Sequence, residues 1–254
     1  MQGNKGGRRC SIVMIDVMID IVCVWWSFTF DMVRTRMNSI PEKVKRTRNV
    51  KGKIANAAVL AAATSLFAER GYEGVSLADI AATSGVSKPS VLYHFQDKET
   101  LWKLAVDRLW ADVDAFFLER HPKGLSPSRE LLEARIELFI EASIMWPAYV
   151  RIPFIEGATP SWRSEWLADR HFGKHVSMND KMIRAMQHEG LLGPGDPAHY
   201  QALLTSSVNV LVAQSAMWNR TFARQLTDAA NLRENMKLVV DLMMSKSLSD
   251  RTDK

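Results

Sequence analysis

Apolar side chains in residues 50–254 fall on helical faces, and no parallel-strand pattern or glycine-rich phosphate loop interrupts them, which predicts an all-α fold. The first face is Ile54, Ala58, Ala62, Leu66 and Phe67 within residues 50–70, followed by Gly71 where a helix C′ glycine belongs. Ser76 then precedes Leu77, Ile80 and Ala81 with Asp79 three positions on, the pattern of an N-cap with a reciprocal acidic partner. A helix therefore starts at Leu77. Gly85 supplies the backbone angles of a tight turn, and small Ala81 allows the next helix to cross closely. Ser87 is placed to cap that helix, Pro89 sits in its first turn where a missing N–H costs nothing, and Val91 and Phe95 take the inward spacing. Asp97 caps a longer helix from Lys98 to near Arg120. Residues 76–95 thus read as a helix-turn-helix with a scaffold helix before it.

Beyond Trp110 the pattern predicts helices over residues 127–146, 148–156, 161–168, 174–189, 197–220 and 227–245. In the fifth, Tyr200, Leu204, Leu211 and Trp218 form one stripe; in the sixth, Leu232, Met236, Val239 and Met243 do the same. Two such stripes per subunit suit a four-helix homodimer interface. The expected division is an N-terminal extension over 1–48, a helix-turn-helix domain over 49–109 and a helical bundle over 110–254.

Charge is unevenly spread. The net charge is +5, yet residues 1–53 hold eleven Lys or Arg against four Asp or Glu, leaving 22 against 24 of the chain's 33 and 28 for the rest. The excess is a basic arm over residues 43–53, ending at Lys53 and placed to reach DNA phosphates or the minor groove. Cys10 and Cys23 both precede the globular part, so its core uses no disulfide or thiolate metal site, in keeping with a cytoplasmic location. Residues 12–30 are long and apolar enough to span a bilayer if helical. Asp16 and Asp20 would each cost about 2.5–3.5 kcal/mol near its centre, against about 0.3–0.6 gained for each Ile, Val or Phe, so a membrane anchor is not expected. Met32 and Met37 follow this run, and residues 1–36 are read as translated upstream sequence without a native fold.

The stretch VLAAATSLFAERGYEGVSLADIAATSGVSKPSVLYHFQDKETL resembles the N-terminal domain of the TetR (tetracycline repressor) family of transcriptional regulators. The resemblance covers about a quarter of the chain. It implies a three-helix DNA-binding domain followed by a ligand-binding and dimerisation bundle. It further implies that Ser76 and Lys98 hold phosphates and that Lys88, Pro89, Ser90, Tyr93 and His94 meet bases or backbone. Lys88, an amine at the start of the recognition helix, is suited to guanine O6 or N7. The tyrosine usual one place before Tyr93 is Leu92 here, so one phosphate-binding hydroxyl is missing. Family members bind double-stranded operators as two-fold dimers, with recognition helices about 34–36 Å apart.

The bundle is rich in aromatics and methionines, which build cores and also line apolar cavities. Trp146, Tyr149, Phe154 and Trp162 cluster around Pro147 and Pro153, where a bundle opens most easily; Trp110, Met178, Met182 and Trp218 complete the candidate effector contacts. Arg151 and Glu156 could orient a ligand's polar end, with surface exposure the expected fate of both. His171 and His175 share a helix face but lack a third ligand at firm spacing, so no metal is assigned. No serine lies in a G-x-S-x-G setting, and no catalytic residue or cofactor is expected. The expected function is a repressor that leaves a palindromic operator when a small hydrophobic or aromatic effector binds.

Overall fold

Residues 46–122 and 126–244 are described by a computed structural model, with side chains from Ile54 onward. The apolar run 12–30, both cysteines and the side chains of the basic arm, Lys53 included, lie outside what is described. Helix α1 (Arg46–Arg70) ends at Gly71, whose φ of +68° closes the helix as the glycine pattern predicts. Helix α2 (Leu77–Ser84) begins with the reciprocal cap: Asp79 N–H donates to Ser76 Oγ at 3.1 Å, and Ser76 N–H donates to Asp79 Oδ2 at 2.8 Å. Gly85 takes φ +68° and turns the chain into α3 (Lys88–Phe95). Ser87 occupies the N-cap of α3 in extended conformation, but its side chain makes no cap bond, so the expected hydroxyl cap is not formed. Asp97 accepts the Thr100 N–H at 2.7 Å and opens α4 (Lys98–Arg120), which at 1.5 Å per residue is about 34 Å long.

Seven further α-helices follow among the described residues: α5 (Arg129–Met145), α6 (Pro147–Glu156), α7 (Trp162–Leu167), α8 (Gly173–His188), α9 (Pro197–Ala213), α10 (Ser215–Phe222) and α11 (Ala229–Met244). Trp146 and Pro147 form a sharp corner, with α5 and α6 bent by 86°. A π-helical turn, Ala168–Phe172, joins α7 to α8 where the sequence pattern left a break. The expected helix over 197–220 is interrupted at Gln214 (φ −107°, ψ 25°), with neither Gly nor Pro to announce it. Among the described residues no single helix is long and apolar enough to cross a membrane.

Two apolar clusters organise the unit that starts at Gly52. The first joins Val59, Leu66 and Phe67 of α1 to Ile80 of α2, Val91 and Phe95 of α3, and Leu101, Trp102 and Val106 of α4. The short helices are therefore held by the first half of α4. The second cluster packs Leu132 and Ile140 of α5, Ile183 and Met186 of α8, Val208 and Val212 of α9, and Leu232 and Met236 of α11. Burying each such side chain contributes about 1.5–3 kcal/mol, so tertiary packing, more than intrinsic helix propensity, holds these helices. Tyr200, Leu204 and Leu211, and Met243 beside Leu232 and Met236, pack against this second cluster. Six of the eight stripe positions thus lie on the subunit's own core, Trp218 and Val239 excepted. The large apolar side chains left exposed on these helices are instead Leu203, Met217, Phe222, Leu238 and Leu242.

Candidate nucleic-acid interface and sensor region

Helix α3 buries Val91 and Phe95 and turns its other side outward, because those two positions lie four residues apart on one face. Lys88, Pro89 and His94 are exposed, Ser90 is half-buried, and Tyr93 is 83% exposed. Such exposure for a tyrosine ring leaves its hydroxyl and one face for an external partner. The Tyr93 and His94 rings meet edge to face at 5.1 Å, and α3 carries no acidic residue to repel phosphate. Leu92, the departure from the usual tyrosine, is also exposed.

Ser76 and Lys98 are differently placed. The Ser76 hydroxyl donates to Asp79 Oδ2 at 2.6 Å and accepts the Asp79 N–H, so a phosphate contact from this hydroxyl must compete with the cap of α2. Hydrogen bonds from the Ser76 side chain and backbone hold the Asp79 carboxyl below the usual carboxylate range, which keeps it ionised there. Lys98 is half-buried, and its ammonium lies 4.1 Å from the centre of the Tyr72 ring, at the joint between α1 and α2.

The candidate effector contacts do not converge on one cavity. Trp110, almost wholly buried, packs on Tyr149 at 5.2 Å and on His171 at 4.9 Å; Trp146 meets Phe116 at 5.5 Å. Burial, with the Asp114 charge adding to it, pushes the Tyr149 hydroxyl far above its ordinary pKa and keeps it neutral. Trp162 belongs elsewhere, in a knot with Tyr72 and Trp102 at 5.4 Å each. Met178 is exposed, Met182 half-buried, and Trp218 stacks on Phe222 at 5.6 Å. Phe154 alone of the set lines an open cleft of about 230 Å³, together with Ala68, Glu69, Arg151, Ile155 and Ala213.

His171 and His175 serve packing between elements. His171 Nε2 lies 3.1 Å from Asp107 Oδ1, and His175 Nε2 lies 3.2 Å from Asp114 Oδ1, so the two rings address two aspartates seven residues apart on α4. Among the described residues no group of three or more His, Cys, Asp or Glu side chains converges as metal ligands would. Glu156, expected at the surface, is 5% exposed. Its carboxylate accepts the Tyr72 N–H at 2.7 Å and Arg163 Nε at 2.5 Å, which ties the α1–α2 loop to α6 and α7. No spacing signal marks this junction, since Tyr72 lies 84 positions from Glu156 in sequence.

Residues 59–104 match the family described as bacterial regulatory proteins, tetR family. RutR, a helix-turn-helix transcriptional regulator of Escherichia coli (strain K12), is 30% identical over 165 residues, covering 64% of this chain and 75% of RutR. IcaR, the negative transcriptional regulator of the icaADBC biofilm operon in Staphylococcus epidermidis, is 33% identical over 64 residues, 25% of this chain and 35% of IcaR. Among solved structures, the hemolysin II transcriptional regulator HlyIIR aligns with a TM-score of 0.58 at 18% identity, over 77% of this chain and 99% of that one. AibR, solved with isovaleryl coenzyme A and operator DNA, aligns at 0.56 and 22% identity, over 76% and 100%. The two structural likenesses show the fold.

Proposed function

The chain belongs to the TetR family of bacterial transcriptional regulators, and from that premise we propose a ligand-responsive repressor that binds a palindromic operator as a homodimer in the cytoplasm. The observation that carries the reading is α3: a short helix anchored by Val91 and Phe95, presenting Lys88, Pro89, Tyr93 and His94 outward behind the left-handed Gly85 turn. In this reading Lys88 contacts base edges, Pro89 and Ser90 set the approach, Tyr93 and His94 replace the phosphate grip that Leu92 lacks, and Lys98 with Lys53 adds backbone contacts. Ser76 contributes through the start of α2. Residues 49–109 form the DNA-binding domain and 110–254 the sensor and dimerisation domain.

Exposed Leu203 and Leu238 on α9 and α11, with Met217 and Phe222 on α10, support a second copy covering this face. That AibR was solved with both a small ligand and operator DNA supports a sensor in the same architecture here. The effector is a small hydrophobic or aromatic compound acting where α4 meets the aromatic side chains of α6. Helix α4 belongs to the core of the short helices through Leu101 and Val106 and meets Tyr149 through Trp110, so a shift of α6 is passed to α3. The test is selection of bound duplexes from DNA flanking the protein's own coding region. An inverted repeat with half-sites about one helical turn apart is expected; recovery of no sequence preference at physiological salt overturns the reading.

A further inference from the structure

The cleft between α1, α6 and α9 is lined by one incompletely bonded guanidinium and one exposed carboxylate. Arg151 lines it from α6; its Nε is sealed from solvent without a hydrogen-bond partner, and Nη2 reaches only Ser215 Oγ, at 3.3 Å. The guanidinium pairs with no carboxylate among the described residues. Five donors in a planar fork are matched best by a carboxylate, so the group that completes Arg151 is an anion. Glu69 lines the same cleft from α1, where its carboxylate accepts Ser65 Oγ at 3.1 Å and pairs with no cation among the described residues. The space also meets Phe154 and Ile155, two adjacent large apolar side chains each 39% exposed, with Ala68 and Ala213 between helices. A cavity of about 230 Å³ equals roughly eight waters at about 30 Å³ each, the size of an aliphatic amino acid.

We propose that this cleft binds a small zwitterion with an apolar side chain, the chemistry of a free aliphatic amino acid. Arg151 takes its carboxylate, Glu69 its ammonium group, and Phe154 with Ile155 its side chain. The site bears on regulation through its walls. A Cβ built on Gly71 would lie 3.1 Å from Ile155 Cγ2, so α6 is seated tightly against the end of α1. The α9–α10 break at Gln214 falls between Ala213 of the cleft and Ser215, the partner of Arg151, which gives the third wall a joint. Occupancy therefore acts on the spacing of α1 and α6. The proposal goes beyond the effector reading above, with a site on the α1 side of α6 in place of its contact with α4, and rests on that reading only for this consequence at DNA.

Calorimetry on the full chain, with no DNA present, tests it. L-leucine is the probe, with isocaproate lacking the ammonium group and isoamylamine lacking the carboxylate. Saturable leucine binding is expected, with each analogue at least about tenfold weaker, a difference of about 1.4 kcal/mol. Arg151→Met and Glu69→Gln should each weaken leucine by a similar factor while thermal unfolding shows both variants folded. The proposal is overturned by absent leucine binding, by isocaproate binding as tightly as leucine, or by either folded variant retaining full affinity. Those results leave operator selection untouched, and failed operator selection leaves the calorimetry untouched, so the two readings fail separately.

Discussion

Replacing Glu156 with leucine removes a buried carboxylate from the junction of the α1–α2 loop, α6 and α7. Two bonds disappear with it, from Tyr72 N–H at 2.7 Å and from Arg163 Nε at 2.5 Å. The Glu156 side chain is 5% exposed and that of Arg163 14%, so water replaces little of what is lost. Removing one partner of a buried pair costs about 3–5 kcal/mol in general. Here Arg163 keeps the mostly exposed Glu73 at 3.2 Å and lies 4.8 Å from the Tyr72 ring centre, which places Glu156→Leu at the lower end, about 3 kcal/mol. Glu156→Gln preserves shape and the acceptor for Tyr72 but weakens a charge-assisted bond, for about 1.5 kcal/mol. At about 2–4 °C per kcal/mol for a chain of this size, the leucine variant should melt about 6–12 °C lower and the glutamine variant about 3–6 °C lower. Urea titration and thermal circular dichroism measure both. The ordering should persist at high salt, because the pair is shielded from mobile ions. A leucine variant within about 1 kcal/mol of wild type would show that the junction does not hold α6 to the short helices.

Three further outcomes are expected. Gly85→Ala should lose about 1–2 kcal/mol by urea titration, from backbone strain at φ +68° alone, since nothing lies within 4 Å of the added methyl; an unchanged midpoint contradicts the left-handed turn. Burial pushes the Asp107 carboxyl up, but the His171 ring 3.1 Å away and hydrogen bonds from Arg170 outweigh it and leave the group below its ordinary range. A depressed folded pKa stabilises above the unfolded value near about 3.9 and loses that contribution as pH falls through the folded one. The wild-type advantage over Asp107→Asn in urea melts should therefore be full at about pH 5 and shrink below about pH 4; an advantage that grows on acidification contradicts the assignment. Leu203→Glu combined with Leu238→Glu should convert a dimer to a monomer in sedimentation velocity at micromolar protein, and an unchanged sedimentation coefficient moves the dimer interface elsewhere.

The helix-turn-helix was legible because each of its boundaries is local chemistry: the Ser76–Asp79 box, Gly85, Pro89 and Asp97 act within four residues of themselves. The failures share a different cause. Gln214 breaks a helix with no Gly or Pro, and the π-helical turn at Ala168–Phe172 continues one through a span without a clear apolar face. An apolar stripe reports that a face is covered without saying by what: the stripes through Leu204 and Met236 suit a partner subunit, yet both side chains pack on the chain's own second cluster. Glu156 read as a surface residue because its burial depends on Arg163 and Tyr72, and the latter is 84 positions away. Likewise, eight aromatic or methionine candidates spell a large apolar interior, while only tertiary packing separates Phe154 at a cleft from Trp110 in the core.

The most direct test of the central claim, that α3 reads an operator, is a footprinting titration on the selected duplex with wild type, Lys88→Ala and His94→Ala at one salt concentration. Both substituted side chains are exposed, so the variants should remain folded. Losing a base contact costs about 1–3 kcal/mol, so Lys88→Ala should require about five- to 150-fold more protein for protection and relax preference at one base pair of each half-site. His94→Ala should weaken protection evenly across sequences. Protection of the same operator by both variants at unchanged concentration and salt would contradict the account.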